Sequence, residues 1–584
     1  YEGQATQPGT VRNLIGCNMA FRRNALVMAG LFDENLGRIG ANAAGAEETE
    51  LCLRAGAMFP MAALIMDPQA AVRHQIEEHR TAFRYFVRRC LAEGRSKALM
   101  THRHTSRSGL ASERHHLLTV IPRRILGHLA TGFTRPGQGG FARAATSVIG
   151  TALVAGSFLL DRMAVRRLPR AEAVYAPFKV VEVDVSKPLQ PIAATPASGD
   201  QAYGAAHLVI RNGSRLLGIT QVPLYGEDLD PAALTPILAP YHRAQPEADA
   251  VALPRARVVV ATRDRTESLA RCLDSLLVQD HPDLEIVVVD NAPSTDETMT
   301  MVRQHYAPTG KVIYLREERP GLSNAHNRGL DGLTADVVAF TDDDVIADRH
   351  WLSSLTRPFA ESADIGCVTG SIVPAELETR AQYWTELHGG FLKSVARQDF
   401  DLDAHRPDNP LFPYAAGMFG SGANMAFRRA ALPGFEPALG AGTIARGGDD
   451  LAAFADVVTA GHRLVYNPDA LVWHFHRRSA DGMARQAFGY GVGLGAYLTR
   501  LVARRPALFF HFLAAAPAGF AHVFGRRSAK NARLPGDYPA SFVWRERFGI
   551  LAGIPAYFQS RKAARRPDDT APLRPHGRPA WKSN

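Results

Sequence analysis

Cysteine is scarce in this chain and scattered where it occurs. Five residues in 584, Cys17, Cys52, Cys90, Cys272 and Cys367, are odd in number and form no C-x-x-C pair. A disulfide framework and a cysteine zinc site are therefore excluded, and a reducing cytoplasm suits the chain. Helix-turn-helix, zinc-finger and aromatic RNA-binding signatures are also missing. The net charge of +10 accordingly points to nucleotides or phospholipid headgroups, and no nucleic-acid partner is expected. With 46% apolar and 21% charged residues the composition is globular, and the length exceeds one core. No signal-peptide pattern opens the chain, which starts at Tyr1 and is expected to be a fragment. Unbroken apolar runs are short. Ala144–Leu160 has 17 uncharged residues between Arg143 and Arg162, so a buried, interfacial or membrane-spanning helix stays open.

A repeat stands out among what is present. Asn-Met-Ala-Phe-Arg-Arg occurs at residues 18–23 and again at 424–429. Glu47-Glu48 then answers Asp449-Asp450, Asp67-Pro68 answers Asn467-Pro468, and His74 answers His474, all in the same order. An internal duplication follows. The second copy is preceded by a long strand-rich region that the first lacks, so the first is expected to be a C-terminal half.

That strand-rich region centres on Ala339-Phe340-Thr341-Asp342-Asp343-Asp344-Val345. An apolar run reads as a buried strand, and three adjacent carboxylates sit at its exit. Like charges so placed repel, and a divalent cation with oxygen ligands relieves them. Upstream, residues 258–262, 284–290 and 312–315 read as buried parallel strands alternating with helices. A further helix opens at Gly321-Leu322-Ser323-Asn324, where free N–H groups suit an anion. Ligands of open α/β sheets bind at strand carboxyl ends, where Thr262, Asp290 and Asp342–Asp344 all fall.

In order and spacing, Val-Val-Val-Ala-Thr-Arg-Asp-Arg, Val-Val-Val-Asp-Asn, Arg-Pro-Gly-Leu-Ser-Asn-Ala-His-Asn-Arg-Gly, Thr-Asp-Asp-Asp and Gly-Gly-Asp-Asp-Leu resemble family-two glycosyltransferases. The resemblance implies an α/β, GT-A (Rossmann-like nucleotide-diphospho-sugar transferase) domain at 254–478. The C-terminal half of a second such domain would occupy 1–105. It also implies inverting sugar transfer from a nucleotide-diphospho-sugar donor to a glycan or lipid-linked acceptor, with Mn²⁺ or Mg²⁺. Carried over by position, Thr262, Arg263, Asp290, Asn291, Asn324, Asp342 and Asp343 serve the donor. Asp342 and Asp344 grip the metal, with His474 near the metal or diphosphate, or else a plain strand-end histidine. Asp450, beside Asp449, matches the catalytic base. Asn424 and Arg428 are expected to shape the acceptor floor, and Trp351 either stacks on a sugar or sits in the core. One departure is His326, where the family often has Arg; Arg328 or Arg319 would compensate, or donor affinity falls.

The rest is less informative. Residues 106–172 read as a helical segment, membrane-associated if Ala144–Leu160 lies on or in a bilayer, and 173–250 as a small β-rich module with a hairpin at Asn212-Gly213. Residues 479–584 read as a helical arm suited to peripheral contact with an anionic membrane, at its cytoplasmic face, followed by a basic tail. Two rivals are a non-catalytic glycan-binding scaffold and a nucleotidyltransferase. The second expects a glycine-rich loop after the first strand, and Thr262-Arg-Asp-Arg-Thr-Glu has no glycine.

Overall fold

The computed structural model describes residues 7–11, 13–33, 36–37, 45–59, 62–103, 116–165, 175–196, 201–241, 251–389, 391–524 and 538–565. The basic tail beyond 565 lies outside the described residues. In the N-terminal region β1 (Gly9–Thr10) pairs antiparallel with β2 (Ile65–Met66). Its contacts echo those at the matching residues 424–469. Asn18 Nδ2 donates to Ala70 O, as Asn424 Nδ2 does to Ala470 O. Helix Glu47–Met58 follows a left-handed Ala46 (φ 83°), and helix Asp449–Thr459 follows a left-handed Gly448 (φ 83°). Asp67 Oδ1 accepts from Gln69 N just as Asn467 Oδ1 accepts from Asp469 N.

Helices Phe83–Arg103, Ile121–Thr134 and Gly140–Val165 come next. Among the described residues, Gly140–Ala164 is the one helix long and apolar enough to cross a membrane. The module that follows has β3 (Phe178–Asp184) parallel to β4 (Ala205–Asn212), which turns at Gly213 into antiparallel β5 (Arg215–Pro223). It is fastened to the main domain. Buried Arg211 pairs with Asp348, Leu216 N donates to Asp469 Oδ1 at 2.9 Å, and Phe178 N donates to Leu377 O at 2.9 Å.

The main sheet grows from runs of Val and Ile that are buried on both faces, as parallel strands between helices must be. Its strands are β6 (Ala256–Thr262), β7 (Leu284–Asn291), β8 (Val312–Glu317), β9 (Val337–Asp342), β10 (Val345–Ala347), β11 (Ile365–Pro374), β12 (Gln398–Phe400), β13 (Asn424–Arg428) and β14 (Arg463–His474). In space the order is β8-β7-β6-β9-β13-β11-β14-β10, with β12 on β14. The first four are mutually parallel, and β13 and β10 run against their neighbours. Register aligns Thr262 with Asp290 and Ala261 with Asp342. It also sets Val345 opposite His474, so the acidic turn between β9 and β10 meets the end of β14.

Past β14, helices Ala480–Arg504 and Ala540–Ala564 cross through glycines. A Cβ on Gly491 would lie 2.0 Å from Glu546 O, and one on Gly495 2.0 Å from Ile550 O. Only glycine allows that approach, with Gly549 and Gly553 answering on the facing helix.

Candidate active site

A cavity of about 2440 Å³ opens at the carboxyl ends of β6 and β9. Asp342, Asp343, Asp344, Asp449, Asp450 and His474 all line it, so the two acidic motifs, over a hundred residues apart, share one hollow. One ligand atom each from Asp342, Asp344 and His474 lie within 4.8 Å of one another, a spacing that could hold a metal ion. His474 Nε2 is 3.3 Å from Asp344 Oδ1.

The electrostatics follow from crowding acids away from water. Burial, then the charge of Asp344, pushes the Asp342 carboxyl up to about 7. Burial works the same way on Asp344, but the hydrogen bond and charge of His474, with Arg265 and Arg477, outweigh it and hold Asp344 at about 2. Burial lowers His474, yet its two carboxylate neighbours raise it overall. Asp449 is lifted to about 8 by burial and by Asp450. Asp450 is also raised by burial, against the N–H groups of Leu451 and Gly422 and the charge of Lys393. Those amides reach Asp450 Oδ1 and Oδ2 at 2.8 and 2.9 Å. Both acids stand in the first turn of helix Asp449–Thr459, where the helix dipole favours a carboxylate.

Other expected residues fall into three places. Arg263 and Asn291 line the cavity. Thr262 and Asp343 also line it but spend their polar atoms on bracing: Thr262 Oγ1 donates to Asp343 Oδ2 at 2.7 Å, and Arg265 Nη1 to Asp343 Oδ1 at 2.9 Å. Asp290 is buried behind them; Oδ2 accepts from Tyr314 at 3.0 Å, and Oδ1 has no hydrogen-bond partner among the described residues. Asn324 Nδ2 turns back to Pro320 O, and the N–H of Leu322 is taken by Ala441 O at 2.8 Å, so this helix start is capped by protein and not open to an anion.

Of the acceptor-side residues, Trp351 takes its core alternative, and the expected placing of Asn424 and Arg428 at an acceptor floor needs correction. Trp351 is fully buried and donates through Nε1 to Asn424 Oδ1 at 2.8 Å. Asn424 is buried too, and its amide nitrogen bonds Ser371 O and Ala470 O, each at 2.8 Å. Arg428 pairs in register with Val337, the far end of β9, and holds Phe359 O, Ser362 O and Ile365 O. All three are framework. His326 does not line the cavity: it is buried between Phe340 and Phe435, both at 4.8 Å, with Nδ1 3.7 Å from Asp449 Oδ2, and burial lowers it to about 3. Neither Arg319, on Glu317, nor Arg328, on Asp331, takes its place. The cavity's own cations are Arg263, Arg265, Lys393, Arg446, Arg477, Arg485 and Arg547. Sequence reading missed Lys393, Arg265 and Arg477; the last follows His474 by three positions and was within reach of a motif search.

Residues 254–489 match the family model described as glycosyltransferase like family 2. The similarity to glycosyltransferase family 2 covers that span, less than half of the chain. The transferase domain has the α/β, GT-A type of fold that its motifs implied. The chain is 29% identical over 132 residues to the glucosyl-dolichyl phosphate glucuronosyltransferase of Haloferax volcanii, covering 22% of this chain and 42% of that protein. It is 29% identical over 240 residues to the pre-mycofactocin glycosyltransferase of Mycobacterium tuberculosis, 40% of this chain and 45% of that one. The matches thus span less than half of these curated relatives. The mannosyltransferase PcManGT from Pyrobaculum calidifontis, solved with GDP-Man and Mn²⁺, aligns with a TM-score of 0.32 at 23% identity, over 55% of this chain and 78% of that one.

Proposed function

We propose that the transferase domain moves a sugar from a nucleotide-diphosphate donor to an acceptor hydroxyl, inverting the anomeric carbon. One observation carries the reading: Asp342, Asp344 and His474 converge in a cavity that also holds Asp450 at a helix start. An oxygen-and-imidazole set of this kind would hold Mn²⁺ or Mg²⁺, and the bound ion supplies Lewis-acid stabilisation to a departing diphosphate. Arg263, Arg477 and Arg485 add positive charge for the same phosphates. Asp290, the residue the motif likeness gives to the donor's base or ribose, is buried one layer behind the cavity wall, with Oδ1 lacking a hydrogen-bond partner among the described residues. Asp450, raised by burial, is the base that takes the acceptor hydroxyl's proton as the sugar's C1–O bond to phosphate breaks.

The acceptor is read as lipid-linked within the wider range of glycans. Away from the carboxylates the cavity is walled by Phe509, Trp544, Phe548, Leu551, Ile554 and Phe558, which are exposed to solvent. Such a surface suits a hydrocarbon chain or the face of an anionic membrane, and the helix Ala540–Ala564 that supplies most of it also carries Arg545, Arg547, Arg561 and Lys562. One relative's name also carries a dolichyl phosphate. The repeated hydrogen bonds support reading the N-terminal region as the second half of another copy, with Glu48 at the place of Asp450.

The test is nucleotide release from a panel of UDP-, GDP- and dTDP-sugars with Mn²⁺, using wild type and Asp450→Asn. Wild-type release, and its loss in the variant with nucleotide binding kept, is expected. Undiminished turnover in Asp450→Asn removes the base assignment.

A further inference from the structure

Two residues past His474 lies a second histidine. His476 is 3% exposed. Its Nε2 stands 2.9 Å from Glu386 Oε2, and its Nδ1 stands 3.0 Å from His474 Nδ1. Hydrogens along this row can be assigned from one end. A carboxylate only accepts, so His476 Nε2 carries a hydrogen. The neutral ring then accepts at Nδ1, and the hydrogen between the two imidazoles belongs to His474 Nδ1. In the neutral ring that a metal ligand must be, His474 Nε2 then offers a bare lone pair in place of the proton it shares with Asp344 when no ion is bound. That is the nitrogen facing Asp344 Oδ1 across 3.3 Å, with a carboxylate oxygen of Asp342 in the same cluster. Acceptors aimed at each other need something positive between them.

We infer that His476 and Glu386 are positioning residues that hold His474 as its Nδ1–H tautomer, with Nε2 turned to an ion shared by Asp342 and Asp344. This rests on the metal reading of that cluster. Packing supports the role. Phe391 stacks over both rings, 5.9 Å from His474 and 5.2 Å from His476, which sets their planes. Glu386 rides on helix Arg380–Gly389, where Tyr383 packs on Phe178 at 5.0 Å. The small β module therefore steadies the row from outside, and its buried His207 lies within electrostatic reach of Glu386 and His476. Partners that fix a ligating histidine commonly set metal affinity by roughly 10–100-fold.

Mn²⁺ binding to the full chain without donor tests the inference. Affinity is read by calorimetry, and nitrogen coordination by the histidine coupling in the spin-echo spectrum of bound Mn²⁺. Glu386→Gln, an isosteric change, and His476→Phe, which keeps a ring under Phe391, are each expected to weaken Mn²⁺ by roughly 10–100-fold and reduce the nitrogen coupling. Together they should cost little more than His476→Phe alone, because Glu386 acts only through His476. Should His476→Phe fail to fold, Glu386→Gln carries the same test. Unchanged affinity and coupling in the variants, beside a wild type that shows both, overturns the inference and leaves the metal reading standing. A wild type that binds no Mn²⁺, or binds it equally after Asp344→Ala, overturns both.

Discussion

Replacing Asp449 with asparagine should make the protein more stable, by an amount that depends on pH. Asp449 is buried against Asp450, and its carboxyl is lifted from 3.8 to about 8. In the unfolded chain it ionises near its ordinary value, whereas in the folded chain it keeps its proton until pH 8 is approached. The stability contributed by a raised carboxyl is complete below about pH 4 and is lost as pH rises through the folded value. At pH 7 that loss is at most roughly 4 kcal/mol. Asp450 shares the site and the strain, so about half, ~2 kcal/mol, is the working figure for one substitution. The helix start favours a carboxylate by about 0.5 kcal/mol, too little to reverse the sign. The amide has the same shape and no charge, and so escapes the penalty. Thermal unfolding in EDTA should then show Asp449→Asn melting ~4–8 °C higher than wild type at pH 8, the gain shrinking toward pH 5. Equal gains at both pH values would refute the electrostatic argument, and a lower melting point at pH 8 would refute it outright. If the stabilised variant also loses transfer, Asp449 is a case of stability given up for activity.

Other outcomes can be measured alongside. Lys393→Met removes the cation that lowers Asp450, so the acid limb of kcat/KM should move to higher pH; an unmoved limb separates Lys393 from the base. Asn424→Ala strips partners from Trp351 Nε1, Ser371 O and Ala470 O, and should destabilise by roughly 3 kcal/mol in urea unfolding while leaving acceptor KM unchanged. Gly495→Leu would drive a side chain into Ile550 O, 2.0 Å from the first added carbon; the two long C-terminal helices should part, seen as faster proteolysis of residues 540–564.

Much of the transferase domain was legible because its strands are unbroken apolar runs and its acids sit at their ends. Burial on both faces writes itself into composition as Val-Val-Val, and the turn after β9 cannot hide three aspartates. What could not be read was direction. The motif Asn-Met-Ala-Phe-Arg was legible only as a repeat, yet it forms β13, which runs antiparallel to β9, and side chains four positions apart on a strand end about 13 Å from each other. Asn424 therefore lies level with Thr341 and Arg428 level with Val337, at opposite ends of the sheet, and neither faces the cavity. Trp351 follows the acids closely in sequence, yet opens a helix that packs inward.

His326 shows a second limit. It stands where the family often has Arg, and its ring is held between Phe340 and Phe435, where a cation would be costly. Contacts made over long separations were invisible for a different reason. Glu386 and His476 are 90 residues apart, and Arg211 reaches Asp348 across 137; no local pattern records either. Yet both lie directly behind the acidic turn, one beside β14 and the other beside β10. The two strands that deliver His474 and Asp344 are thus each anchored from the rear, one by a helix and one by a module that composition alone had left without a role. Rigid support of that kind is what a cluster of mutually repelling carboxylates requires, since without it the side chains would simply swing apart into water.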